Sequence, residues 1–242
     1  LKAVLLVGGA GTRLRPLTYV VPKCLLPVGG KPLLERTLRY FESYGIRDFV
    51  LCVAYLKKQI MDTFKDGAAL GVEIQYAEAE QPLGTAGQLK TANAFVDGPF
   101  LAINGDIITN LNITNLVATH KKKGGIATIA LKEFGVRIPY GHVILNGDGK
   151  VTAFEEKPTL SYMANAGIYV LEPRLLEFIP QGRVCSLETE TFPSVIAKGE
   201  QVNSYYESAY WADVGSMADF ERVNNEALSN SSALVPPGEN PR

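Results

Sequence analysis

Residues Leu6 to Leu26 read LVGGAGTRLRPLTYVVPKCLL: the end of an apolar strand, a glycine-rich turn, then two spaced cations, Arg13 and Lys23. A turn built on Gly8, Gly9 and Gly11 lets the backbone pass close to a bulky anion with its N–H groups pointing inward. Arg13 and Lys23 add positive charge for phosphate oxygens. A polyphosphate ligand is therefore the first expectation, although the glycines alone would also suit a strand-to-helix turn that binds nothing. Two better-known phosphate motifs do not fit. G-x-G-x-x-G fails because Leu14 stands where the last glycine belongs after Gly9 and Gly11. G-x-x-x-x-G-K-[ST] fails from Gly8, which meets Arg13 at the second glycine position, and Gly30-Lys31 is followed by Pro32.

Outward from this stretch the first half of the chain alternates strand-like and helix-like runs. Ala3–Val7 reads as a short apolar strand, Phe49–Val53 as a β-branched apolar one, and Val72–Ala77 and Phe100–Asn104 as two more strands. Between them, Leu33, Leu34, Thr37, Leu38, Phe41 and Tyr44 fall on one helical face, and Leu56–Phe64 and Ala86–Phe95 also read as helices. This rhythm predicts an α/β fold with a doubly wound, mostly parallel Rossmann-like sheet flanked by helices, its ligand at the carboxyl ends of the strands. After a helix near Leu116–Lys122 the pattern changes. Ile126–Lys132, His142–Leu145, Val151–Glu155 and Asn165–Leu171 read as strands, with Asn146-Gly147-Asp148-Gly149 a hairpin turn. Helices follow near Arg174–Phe178, Glu190–Ala197 and Ser216–Leu228. The second half is thus expected to be a mixed region that completes the site, within one domain over 1–228. Residues 229–242, polar and proline-bearing, read as a loose tail.

Composition narrows the class. With 24 basic and 25 acidic residues in 242, the formal net charge is -1, which gives no support to a nucleic-acid or membrane surface. No apolar run approaches the roughly 20 residues of a membrane span, and the start LKAVLLVGG lacks an extended signal-peptide core. Cys24, Cys52 and Cys185 are odd in number and far apart, so reduced thiols in a cytoplasm are expected instead of disulfides or a zinc site. Cys24 beside Lys23 reads as a small apolar filler, with some thiol activation as the alternative. His120 and His142 lack ligand spacing or triad companions and are expected at the surface or in the hairpin.

Three further stretches carry chemistry-bearing residues. Asp106 follows the strand Phe100–Asn104, and Gly105 before it gives a ligand room to approach; a turn cap is the structural use of such an aspartate. Asp213, in Tyr210-Trp211-Ala212-Asp213-Val214-Gly215, stands just before the last helix and reads the same way. Spacing cannot pair two acids so distant in sequence. In Gln81-Pro82-Leu83-Gly84-Thr85-Ala86-Gly87, Thr85 could cap the helix that follows.

These stretches together carry a family resemblance. GGAGTRLRPLT followed by PKCLLPVGGKPL resembles the signature of the sugar-nucleotide pyrophosphorylases, nucleotidyltransferases that join a nucleoside triphosphate to a sugar 1-phosphate; it runs almost uninterrupted from Ala3 to Leu34. The resemblance implies that Asp106 and Asp213 are a pair of Mg²⁺-binding aspartates, which suits an ion that takes few carboxylates and shares substrate phosphates. It implies a nucleotide site of Leu6, Gly8, Gly9, Gly11, Thr12, Arg13, Lys23, Gln81, Gly84, Thr85, Gly105 and Asp106, with Gln81 and the Gly84 backbone reading the base. Glu155-Glu156-Lys157-Pro158 is similar to the family's sugar-phosphate clamp, with Lys157 on the phosphate and Glu156 on sugar hydroxyls. Asn165 and the bare backbone of Gly141, after Tyr140, would complete the sugar side. The implied catalytic set is Arg13, Lys23, Asp106 and Lys157, with Arg13 on the leaving pyrophosphate and Lys23 on the α-phosphate side.

PLGTAG together with NAGIYVL, and Ser186-Leu187-Glu188 before Phe192-Pro193, look closest to the mannose-1-phosphate guanylyltransferases or their heptose-1-phosphate relatives. Uridylyl and thymidylyl members acting on glucose 1-phosphate remain the alternative. A catalytically idle, sugar-nucleotide-binding regulatory subunit is a second class of reading, and retention of Arg13, Lys23, Asp106, Lys157 and Asp213 together argues against it. A cytidylyltransferase would share the glycine loop without the E-K-P and NAGIY segments. No covalent nucleophile arrangement is present, and homo-oligomerisation is left open.

Overall fold

The structure, a computed structural model, describes residues 1–229. From residue 230 onward, the expected tail lies outside the described residues. In chain order the elements are β1 (Lys2–Leu6), β2 (Pro27–Val28), β3 (Lys31–Pro32), α1 (Leu33–Glu42), β4 (Asp48–Val53), α2 (Lys57–Phe64), β5 (Glu73–Glu78), α3 (Gly84–Thr91), β6 (Phe100–Asn104) and β7 (Ile107–Thr109). They continue as α4 (Ile113–Lys123), β8 (Ala127–Arg137), β9 (His142–Leu145), β10 (Val151–Glu155), β11 (Thr159–Leu171), α5 (Phe192–Ala197), β12 (Val202–Tyr206), β13 (Trp211–Asp213) and α6 (Met217–Leu228).

One seven-stranded sheet, ordered β12-β8-β11-β6-β1-β4-β5, organises both halves of the chain. Strands β5, β4, β1 and β6 are mutually parallel, β11 runs against both β6 and β8, and β12 is parallel to β8. The expected mostly parallel α/β sheet is therefore present, with β11 as its single reversed strand.

Strand periodicity explains the layering. Along β1, Ala3 and Leu5 face one side with Leu34, Leu38 and Phe41 of α1, Ile60 of α2 and Leu116 of α4. Val4 and Leu6 face the other side with Ala86 and Leu89 of α3, Leu175, Phe192 and Val195. A buried side chain of this kind contributes about 1.5–3 kcal/mol relative to an exposed one. Helix α1 buries the predicted stripe, except that Tyr40 is buried and Tyr44 lies past the helix end; the Tyr40 hydroxyl donates to the Leu111 carbonyl. A smaller core of Val28, Leu33, Ile108, Ala212, Val214 and Val223 seats α6.

Two strands are longer than the sequence pattern suggests. Beyond the predicted ends, Arg137 pairs with Thr159 and Phe134 with Tyr162, forming a ribbon that projects from the sheet. Its residues are largely exposed, so no buried face imposes a readable alternation there. The β9–β10 hairpin turns as expected, with Asn146 Oδ1 accepting from the Asp148 and Lys150 amides and Gly149 at φ +80.

His120 departs from its expected surface position. It is buried, its Nδ1 2.9 Å from Thr128 Oγ1 and its Nε2 3.2 Å from Glu172 Oε1, tying α4 to the sheet. An imidazole whose two nitrogens both find partners can be buried without an orphaned polar group. His142 is exposed on β9, as expected.

Candidate active site

The glycine loop leaves β1 in the middle of the sheet and turns over a cavity of about 230 Å³. Leu6, Val7, Gly9, Gly11, Thr12, Arg13, Lys23, Cys24, Gly105, Asp106 and Gly215 line it. Gly11 is left-handed, at φ +59, and a Cβ there would press on Thr18 and Lys23. Thr18 Oγ1 fixes the turn by donating to the Gly11 carbonyl at 2.8 Å. The amides of Gly9, Ala10, Gly11 and Thr12 have no partner among the described residues, which leaves a concave set of donors suited to an anion.

Gly8 differs from the expectation. Its amide donates to the buried Gln88 Oε1 at 2.8 Å, so this N–H is engaged with α3 instead of facing a ligand. Gln88 belongs to the run that continues PLGTAG, and its role was not apparent from the sequence because only the fold brings α3 under the loop.

The two acids meet through a ribbon too short to announce itself. Strand β13 pairs with β7, setting Asp213 opposite Ile107, one residue beyond Asp106. The Val214 amide donates to the Asp106 carbonyl at 2.9 Å. Between the acids sits Lys23, its Nζ 2.5 Å from Asp106 Oδ2 and 3.9 Å from Asp213 Oδ1. Neither aspartate caps a helix: α6 is capped by Ser216, whose Oγ accepts from the Asp219 amide.

Burial, followed by the neighbouring negative charge of Asp106, pushes the Asp213 carboxyl up to about 6, against the opposing pull of Lys23 and Arg13. The Arg13 guanidinium reaches the same place: a Cβ on Gly215 would lie 3.0 Å from one of its nitrogens and 2.7 Å from Asp213 Oδ2. Gly105 is equally constrained, since a Cβ there would stand 2.5 Å from Val7 Cγ1 and 2.8 Å from the Leu6 carbonyl oxygen.

Asp213 Oδ1 and Asn104 Oδ1 are buried side-chain oxygens with no hydrogen-bond partner among the described residues. Asp213 Oδ1, beside a second carboxylate, without a hydrogen bond and with only the distant Lys23 ammonium at 3.9 Å, suits a further cation. The pair therefore fits Mg²⁺, which binds through one or two carboxylates and completes its shell with water and phosphate oxygens. Cys24, on the cavity wall, is buried with its thiol pushed up to about 12 by desolvation, so it fills space and is not activated.

Thr85 does not cap α3, which begins at Gly84 without a side-chain cap. Its hydroxyl is already engaged, donating to Glu188 Oε2 at 2.9 Å and accepting from the Leu187 amide at 2.9 Å. Gly84 and Gly87 let the 183–187 segment dock on this helix start, since a Cβ at either would strike the Cys185 or Arg183 carbonyl oxygen. Gln81 lines a different depression, with Glu78, Lys90 and Gln181, and not the loop cavity.

On the sugar side the predicted residues fall into two groups. Asn165 stands at the bulge of β11, its Nδ2 donating to Tyr169 Oη at 2.7 Å and its Oδ1 accepting from the Gly167 amide at 2.9 Å. Gly167 packs on Asn104, which brings Asn165 toward the carboxyl end of β6. Gly141, Glu156 and Lys157 form a second group on the projecting arm. A Cβ on Gly141 would touch the Phe154 ring and lie 3.2 Å from Glu156 Oε2. Lys157, half exposed and at φ +48, has Glu156 as its ion-pair partner at 3.7 Å. None of these three lines the loop cavity.

Comparison with known proteins agrees with this architecture. The family model described as nucleotidyl transferase matches residues 2–230. A UTP–glucose-1-phosphate uridylyltransferase of Synechocystis sp. is 33% identical over 247 residues, covering 95% of this chain and 64% of that protein. A mannose-1-phosphate guanylyltransferase of Mycobacterium tuberculosis is 37% identical over 226 residues, covering 91% of this chain and 62% of that protein. The chain thus spans a little under two thirds of the length of these two relatives. Among solved structures, HddC from Yersinia pseudotuberculosis, complexed with GMP-PN, superposes with a TM-score of 0.75 at 25% identity, covering 93% of this chain and 98% of that one. With its glycine loop, its aspartate pair and a family match spanning nearly its whole length, the chain belongs to the nucleotidyl transferase family.

Proposed function

We propose that this chain catalyses Mg²⁺-dependent transfer of a nucleotidyl group from a nucleoside triphosphate to a sugar 1-phosphate, with GTP and mannose 1-phosphate as the favoured pair. The observation that carries the reading is Lys23 held between Asp106 and Asp213 beside a loop of open amides. In the reaction a phosphate oxygen of the sugar 1-phosphate bonds to the α-phosphorus while the bond from that phosphorus to the β-phosphate bridging oxygen breaks. Pyrophosphate leaves with the electron pair, and nothing is oxidised or reduced.

The chemistry asks chiefly for positioning and for neutralising charge between two anions. The amides of Gly9 to Thr12 and the Arg13 guanidinium take the β- and γ-phosphates and then the leaving pyrophosphate. Lys23 takes the α-phosphate, exchanging part of its contact with Asp106 for the phosphate oxygens. Asp106 and Asp213 would hold Mg²⁺, which supplies Lewis-acid charge stabilisation when bound. Asn165, Glu156 and the Gly141 backbone hold the sugar, and Lys157 its phosphate. We assign the base to Gln81 and the Gly84 backbone. The buried free thiols of Cys24, Cys52 and Cys185 suit a reducing cytoplasm.

Support for the substrate pair is the PLGTAG and NAGIYVL segments together with the guanylyltransferase relative. The uridylyltransferase relative supports glucose 1-phosphate with UTP as the second reading, with the thymidine nucleotide as its variant, and heptose 1-phosphate with GTP is the third. Pyrophosphate release measured for each nucleoside triphosphate with mannose, glucose and heptose 1-phosphate separates them. The highest kcat/KM is expected for GTP with mannose 1-phosphate. A clear preference for UTP or TTP would reassign the base, and the absence of turnover with every pair would reject the enzymatic reading in favour of a regulatory subunit.

A further inference from the structure

Glu188 bonds both to Thr85 at the start of α3 and to Tyr169 on β11. It occupies a wide turn, Leu187–Thr191, in which the Thr191 amide reaches back five residues to the Ser186 carbonyl. Its Oε2 accepts from Thr85 Oγ1 at 2.9 Å and from Ser186 Oγ at 2.8 Å. Its Oε1 accepts from Tyr169 Oη at 3.2 Å, and that phenol oxygen accepts from Asn165 Nδ2 at 2.7 Å. A single carboxylate therefore joins the start of α3, which holds the glycine loop through Gln88, to the bulge of β11 that presents Asn165.

The direction of each bond in this chain is determined. An ionised carboxylate only accepts. Thr85 already accepts from the Leu187 amide, so its own proton goes to Glu188. The buried Tyr169 phenol stays protonated, because burial and the Glu188 charge push it above its ordinary range, and it donates to Glu188. Its lone pair then takes one Asn165 Nδ2–H, while Asn165 Oδ1 is held by the Gly167 amide. The second Nδ2–H of Asn165 has no partner among the described residues.

We propose that Glu188 is a positioning residue that sets the polarity of this chain, so that Asn165 presents an N–H donor to an acceptor oxygen of the sugar 1-phosphate. The inference rests on the sugar 1-phosphate reading above. It also predicts what an amide at position 188 would do. Glu188→Gln keeps an acceptor for Thr85 and Ser186 but turns an NH₂ toward Tyr169. The phenol would then donate to Asn165, and the Asn165 amide would have to turn over and release Gly167.

Steady-state kinetics with each substrate varied separately test this on the unaltered chain, Glu188→Gln, Tyr169→Phe and the double variant. The probes are GTP and mannose 1-phosphate, or the pair with the highest turnover. Each single variant is expected to raise the KM for the sugar 1-phosphate about tenfold, the worth of one hydrogen bond. The KM for the nucleotide should stay within about twofold. The double variant should match a single one, because both break the same link. Equal changes in both KM values together with a lowered thermal midpoint would make Glu188 a structural strut and overturn the proposal. Unchanged sugar 1-phosphate KM in both single variants would overturn it as well. If the unaltered chain turns over no pair, the enzymatic reading has failed and this inference falls with it, a result distinct from active enzyme with insensitive variants.

Discussion

Lys23 Nζ lies 2.5 Å from Asp106 Oδ2, although 83 residues separate the two in sequence. The sheet makes the contact: β1 and β6 are neighbours, with Leu6 opposite Asn104, so the loop after one strand and the turn after the other open on the same edge. The lysine is held there without any ligand, half-neutralising the pair of acids proposed to share a cation. Replacing it with methionine leaves Arg13 as the remaining cation against Asp213 and removes the proposed α-phosphate partner. We expect Lys23→Met to lower kcat by about 10²–10³-fold, the usual cost of losing one preorganised transition-state donor. Pyrophosphate release at saturating substrate measures it.

Asp213 gives a stability signature with a defined sign. Its folded-state pKa, raised to about 6 by burial and by Asp106, exceeds the ordinary 3.8, so the folded protein binds the extra proton. Stability from this group is therefore present below about 4 and is lost as pH rises through 6. Asp213→Asn cannot ionise and escapes that loss. In EDTA, its thermal midpoint should exceed that of the unaltered chain at pH 8, with the gap closing near pH 4.5. Added Mg²⁺ at pH 8 should raise the midpoint of the unaltered chain and leave the variant unmoved.

Gly105 is constrained for steric reasons. A methyl group there meets Val7 Cγ1 at 2.5 Å and the Leu6 carbonyl oxygen at 2.8 Å, and the latter is backbone of β1. Gly105→Ala should cost about 1–3 kcal/mol in urea unfolding, in the range of an overpacked core. It should also weaken nucleotide binding, because the displaced strand end carries the glycine loop.

Gln88 supports the loop from below. Its Oε1 takes the Gly8 amide inside the protein, so Gln88→Leu leaves a buried N–H unpaired. The expected loss is about 1–3 kcal/mol of stability. Calorimetric titration with GTP should show weaker binding, since the loop amides lose their anchor. Thermal denaturation and titration on the same sample separate the two effects.

Elements with a buried face were legible in the sequence. The apolar run of β1, buried on both faces, and the Leu34, Leu38, Phe41 stripe of α1 each follow from burial against a core. What escaped reading depends on long-range contact. Strands β7 and β13 are three residues each, and no local pattern marks a ribbon whose partners lie about a hundred residues apart. The same distance hid the meeting of Asp106 with Asp213, which only the resemblance suggested. His120 carried no sign of burial, because its partners, Thr128 and Glu172, come from other elements. Thr85 read as a cap because its neighbours in sequence allow one, whereas its hydroxyl is taken by the Leu187 amide and the Glu188 carboxylate instead. The glycine loop turns as its residues suggest, with the Gly9 to Thr12 amides open among the described residues, except at Gly8, whose amide donates to Gln88.

The most direct measurement is phosphorus NMR of the full chain incubated with GTP, mannose 1-phosphate and Mg²⁺, beside Asp106→Asn under the same conditions. The account predicts that the unaltered chain forms GDP-mannose and pyrophosphate in equal amounts while the variant, folded by circular dichroism, leaves the substrates unconverted. Equal conversion by both proteins would contradict the role of Asp106, and unconverted substrates with the unaltered chain, for this pair and every other, would contradict nucleotidyl transfer itself.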